Sequence, residues 1–478
     1  MTVFRLTLGS RTGLVAAAAL LLTACAPAQD APTPTIGVDV SHYLAVGDSY
    51  TAGFSAGGLT RTGQEYSFPN LLAQQLRGAT AGAAFTQPLL DAGTGSGYLE
   101  LVDFTAAGFP RARRVAGTAV RSTVVNPGAC GGTDTVRLLL RSATAGNLPQ
   151  NLGVPGLPLS QIETLGLGND ARATAGAGFN PYFERLLPAA TNTTYLQAVA
   201  TAAASATFFT FFQGLDDLMP YVRSGGQCGA APTAAFANQM KLNAKKILDV
   251  LTAGGRQGII AKLPAITSLP LLRLGKGDKL ETRLQAQFGD TANVYIESPF
   301  NPSQAQRISD KDYVLATALA HVGQLTPVVV NGTTRMLPYG RDSRNPLRDA
   351  DVLDAQSELN LVNSAISNYN NSDGTVANVP LGLNALAQLY KLPVIDASQG
   401  FRTLDVDVSL FNQVANVISV GGVQYSAEPV RGNFFSLDYY TLTPRGNGLL
   451  ANAFITAINK AYRSNIPAVD VNSLPTTK

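Results

Sequence analysis

The sequence is short of the side chains that most enzymes use for proton transfer and metal binding. Only two of its 478 residues are histidines, His42 and His321, and only three are cysteines, Cys25, Cys130 and Cys228. So few ligands cannot make a zinc-type site, and no metal site is expected. Charged residues are also scarce, at 14%, and the formal net charge is only +3. No Lys/Arg-rich run occurs, so nothing argues for a nucleic-acid partner. No apolar run is long enough to cross a bilayer: the longest early one, Leu14–Leu22, falls well short of the required length. Apolar residues nevertheless make up 45% of the chain, ample for a core and too many for a disordered protein.

The N-terminus reads as a targeting segment. Arg5 and Arg11 precede the apolar core Leu14–Leu22, and Leu22-Thr23-Ala24-Cys25 follows. This end resembles the lipobox of bacterial lipoproteins. The resemblance implies cleavage before Cys25 and acylation of that residue, with several acyl chains giving a stable bilayer anchor. Ala26, in place of an aspartate, favours the outer membrane. Residues 26–40 carry Pro27, Pro32 and Pro34 and read as an extended tether. No comparable linker recurs, so residues 41–463 are expected to form one domain and 464–478 a polar tail.

Short apolar runs at Leu44–Val46, Thr207–Gln213, Gly258–Leu263 and Leu392–Ala397 read as buried strands. Helices are expected from Phe68, where Pro69 suits a first turn, and around Phe236–Leu251, Val352–Tyr369 and Leu381–Leu389. Strand, helix and strand at this spacing predict βαβ units and a parallel sheet. Residues 77–150 and 264–350 read as two long insertions. The first is expected to be irregular. The second is expected to hold a helix at Tyr313–Leu325 and a strand at Val328–Val330. Val414–Tyr425 is expected to turn back on itself at Gly421-Gly422.

The first strand ends in Gly47-Asp48-Ser49, which leaves one hydroxyl where a strand hands over to a helix. Gly47-Asp48-Ser49-Tyr50, Gly153-Val154-Pro155-Gly156, Gly214-Leu215-Asp216-Asp217 and Asp438…Thr443-Pro444…Gly446 follow one another in the order of the conserved blocks of the SGNH (GDSL) hydrolases, and the chain resembles that family. The resemblance implies an α/β fold, a three-layer α/β/α sandwich with a mostly parallel sheet. It implies Ser49 as nucleophile, with Asp438 orienting a base. It implies an oxyanion hole from the Ser49 and Gly156 N–H groups and the residue at 216.

Two positions depart from the family pattern. Thr441 stands where the histidine base belongs, and its hydroxyl cannot accept a proton near pH 7. Asp216 replaces the asparagine donor, and an ionised carboxylate there would repel an oxyanion. His42 lies seven residues before Ser49, roughly 20 Å away along a strand, and is excluded. His321 belongs to the second insertion. The carboxylates Asp48, Asp216, Asp217 and Asp438 are expected to gather near the sheet's C-terminal edge, where one could hold a proton or act as base, or the group could take a hard cation. The expected function is therefore a GDSL-type ester hydrolase homologue on the cell envelope with hydrolysis lost or weak, no cofactor, and a pocket for a small ester, acylated glycan or lipid. The alternatives are an active esterase with an unusual base and a structural envelope lipoprotein. In an exported protein Cys130 and Cys228 are expected to form a disulfide, the other outcome being two separate thiols.

Overall fold

Five short strands build one parallel sheet: β1 (Tyr43–Gly47), β2 (Asn151–Gly153), β3 (Phe208–Phe212), β4 (Gln257–Ala261) and β5 (Val394–Ile395). Their order is β5-β4-β3-β1-β2, and every pair is parallel, with Tyr43 beside Phe208 and Gly47 beside both Phe212 and Gly153. The computed structural model describes residues 35–476 apart from 81–84, 128–132, 144, 176–177, 290–291, 299–300, 356 and 396–417. The protein is thus a mixed α/β protein with a central parallel sheet. All five residues of β1 and of β3 are buried, as expected for strands covered on both faces.

Successive side chains of β3 point to opposite sides. On one side Phe212 meets Phe68, which stacks on Phe454 with ring centroids 4.7 Å apart. Phe208 meets Tyr462, whose hydroxyl donates to the Gly258 carbonyl at 2.7 Å. The helices Phe68–Thr80 and Pro444–Tyr462 therefore cover this face. The helices Tyr195–Ala203, Ala234–Leu251 and Glu358–Asn371 form a second packed group. Its Met240 and Tyr369 close on Gly214 at the end of β3. The sheet switches direction between β1 and β3, and in sheets of this kind ligands bind beyond the C-terminal strand ends at that point.

The first insertion is more regular than expected. It holds two antiparallel hairpins, Tyr98–Phe104 with Pro110–Val115 and Val120–Pro127 with Thr133–Leu139. Both are largely solvent-facing, so they lack the apolar run that marks a buried strand. Cross-strand ion pairs Arg111–Asp103 and Arg113–Glu100 lie on the first. Arg121 of the second hairpin and Arg141 just beyond it converge on the fully buried Glu184. In the second insertion the helix expected at 313–325 shrinks to Ala316–Leu319, and an unexpected helix spans Gly277–Phe288. Val328–Val330 lies in the hairpin Leu325–Val330 with Thr333–Pro338, turned at Asn331-Gly332 with φ of 51° and 74°. The helix expected from Val352 starts at Glu358, because Val352 and Leu353 instead pair with Tyr313 and Val314. Ile418–Val420 and Val423–Tyr425 form the expected turn at Gly421-Gly422. Beyond Arg463, Ile466, Val469 and Val471 are buried, and Asn452 hydrogen-bonds to both the N–H and the carbonyl of Val469.

Candidate functional site

Gly47 lets the chain leave β1 sharply. A side chain there would collide with the Thr51 hydroxyl and the Phe212 carbonyl, at 2.1 and 2.2 Å. The next residue, Asp48, binds both elements that meet here. Its Oδ1 accepts the Tyr50 N–H at the start of the one-turn helix Ser49–Ala52. Its Oδ2 accepts the N–H groups of Gly214, Leu215 and Asp216, capping the helix Leu215–Arg223. Asp217, in the same first turn, accepts the Leu159 N–H at 2.9 Å on both oxygens and so fixes the segment after Gly156.

These two anchors bring Ser49, Gly156 and Asp216 together. Asp216 Oδ2 accepts the Ser49 hydroxyl at 2.6 Å, the Ser49 N–H at 3.1 Å and the Gly156 N–H at 2.8 Å. Gly156, with φ of 68°, shares its N–H with Ser49 Oγ at 3.4 Å. The two N–H donors assigned to an oxyanion therefore already hold an oxygen, that of Asp216. Ser49 is only 1% exposed and Asp216 6%. Burial is the main force raising the Asp48 and Asp216 carboxyls, and the charge of Asp216 further opposes ionisation of Asp48. Burial also pushes Asp217 up to about 8.

Asp438 and Thr441 form a separate cluster. Asp438 Oδ1 accepts the N–H groups of Tyr440 and Thr441 at 3.1 and 2.8 Å and the Ser436 hydroxyl at 3.0 Å. Its Oδ2 takes the Gly57 N–H at 2.8 Å and the Thr441 hydroxyl. Among the described residues neither side chain hydrogen-bonds to Ser49. Asp438 thus orients its own turn, which Tyr439 enters at φ 67°.

The sequence reading overlooked Tyr440. Its phenol is buried, and burial first, then the charges of Asp216 and Asp438, holds its proton well above the ordinary tyrosine range. The Arg223 guanidinium lies 5.5 Å over its ring. The one mark of Tyr440 in the sequence is its place beside Thr441, where the SGNH resemblance would put a histidine. His42 is exposed at the far end of β1, and the exposed His321 pairs with Gln324 at 3.2 Å. Among the described residues no three His, Cys, Asp or Glu side chains are grouped to hold a metal ion. Cys228 is disulfide-bonded. Its expected partner Cys130, and the expected lipidation site Cys25, lie outside the described residues. No described helix is long and apolar enough to cross a membrane.

The chain matches no family model, no curated protein and no solved structure.

Proposed function

We propose that this protein is a non-catalytic relative of the SGNH (GDSL) ester hydrolases, exported and anchored to the bacterial cell envelope through an acylated Cys25. The ordered motifs and the place of Ser49 at the switch point of the sheet support the kinship. One observation carries the loss of hydrolysis: Asp216 Oδ2 fills the space between the Ser49 and Gly156 N–H groups. A substrate oxyanion would have to displace a carboxylate oxygen held by three donors, and no imidazole stands ready for the Ser49 proton. Loss of a base and of an oxyanion donor each typically costs orders of magnitude in rate. Turnover of p-nitrophenyl butyrate by the wild type should therefore equal that of Ser49→Ala. A Ser49-dependent rate would refute the proposal.

The 2.6 Å bond from Ser49 to Asp216 favours a second reading, a serine–carboxylate dyad. Here Ser49 Oγ would bond to the ester carbonyl carbon while its proton passes to Asp216; Asp216 would return that proton to the alkoxide as the ester C–O bond breaks, and water would then cleave the acyl-serine to the acid and free Ser49. Asp216 would also have to swing clear of the two N–H groups. Ester turnover that rises with pH and disappears in Asp216→Asn is the signature of this reading.

A further inference from the structure

One pocket lies apart from Ser49. It has a volume of about 280 Å³ and lies between the segment following the Ser49 helix and the start of the helix Pro444–Tyr462. Tyr66, Tyr98, Pro444, Pro475, Leu442 and Thr62 form most of its wall. The Ser55 hydroxyl, donating to the Leu442 carbonyl at 2.8 Å, ties its two sides together. Ser49, Gly156, Asp216 and Tyr440 do not line it, and among the described residues neither does any charged side chain.

We propose that this pocket binds an uncharged ring compound of about ten heavy atoms carrying one hydroxyl-sized polar group. The size follows from the volume: an apolar cavity of about 150 Å³ admits benzene, and this pocket has nearly twice that room. The shape follows from the walls, which include the rings of two tyrosines and two prolines. The lack of charge follows from the lining, because an ion would lose its hydration with no counter-charge to replace it. The polar group follows from Tyr66 and Tyr98, half-buried phenols that hydrogen-bond to no described residue. A sugar, with hydroxyls all round, would leave most of them unpaired against this wall.

Calorimetric titration of the full chain with 2-naphthol tests the proposal, with 2-naphthoate and glucose as comparators. Saturable one-to-one binding of 2-naphthol is expected, with 2-naphthoate and glucose at least tenfold weaker. Thr62→Phe, which fills the pocket, should weaken 2-naphthol at least tenfold, and Tyr98→Phe, which keeps the wall but removes one phenol oxygen, about threefold. Absence of saturable binding by the wild type, equal affinity for 2-naphthoate, or affinity unchanged in both variants would overturn it. Ester turnover plays no part in these readouts, so they stand or fall separately from the loss of hydrolysis.

Discussion

Ser49 Oγ and Asp216 Oδ2 lie 2.6 Å apart, and the same Asp216 oxygen takes the Gly156 N–H at 2.8 Å. The Ser49 hydroxyl, the Ser49 and Gly156 N–H groups and the Asp216 carboxylate are thus closed on one another. Under the proposed kinship, a position that would present an amide donor to a reacting oxygen here supplies the oxygen itself. The protein's own side chain satisfies the site, and Ser49 is almost fully buried.

Asp48 is predicted to be structural. It satisfies three N–H groups at the start of the helix Leu215–Arg223 and one at the start of Ser49–Ala52. Asp48→Ala leaves them unpaired in a buried place and should cost about 2–4 kcal/mol, read by urea unfolding. Asp48→Asn keeps an acceptor oxygen and should cost less.

Asp438 is predicted to hold its turn rather than a base. Asp438→Ala strands the N–H groups of Gly57, Tyr440 and Thr441 and should destabilise by about 2–4 kcal/mol. Thr441→Val, which removes only a hydroxyl, should cost about 1 kcal/mol. Equal, near-zero losses in chemical denaturation would contradict this division.

Stability is predicted to fall as pH rises from mildly acidic to alkaline. A carboxyl whose folded pKa is raised holds its proton more tightly folded than unfolded. The stability it brings is complete below its unfolded pKa of about 4 and is lost as pH rises through the folded value. For Asp217 that window closes near 8, and Asp48 and Asp216 act in the same direction. Melting temperature should therefore decline between pH 5 and pH 9. Asp217→Asn, which cannot ionise, should decline less steeply.

Much of this site could be read from the sequence, and the parts that could not have physical causes. Buried parallel strands are continuous apolar runs, so β1, β3 and β4 stand out, and Gly47-Asp48-Ser49 marks the exit from the first. The solvent-facing hairpins of residues 98–139 have no such run. The Asn331-Gly332 turn between Leu325–Val330 and Thr333–Pro338 is a two-residue hairpin signal in the sequence. The resemblance points to position 216, but residue types alone do not fix which way the Asp216 carboxylate turns. That depends on the Asp48 cap and on the reach of Gly156, both set by tertiary contacts. Tyr440 is hidden for the same reason: whether a turn residue is buried depends on backbone angles, here those around Tyr439.

If the proposed kinship holds, introducing the SGNH residues at 216 and 441 should bring in chemistry only in part. Asp216→Asn with Thr441→His supplies an amide and an imidazole, and a positioned base is typically worth about 10²–10⁴-fold. Thr441 is fully buried, however, and its hydroxyl is held by Asp438 and Ser436. The double variant should gain less than tenfold in p-nitrophenyl ester hydrolysis over the wild type. A double variant already hundreds of times faster would mean that an imidazole at position 441 reaches Ser49.

The most direct measurement is covalent labelling of Ser49 by a fluorophosphonate at neutral pH, located by mass spectrometry of the digested protein. With its hydroxyl buried on Asp216 and its oxyanion donors occupied, Ser49 should remain unlabelled over hours, as in Ser49→Ala. Rapid stoichiometric labelling of Ser49, abolished in that variant, would contradict a silent site.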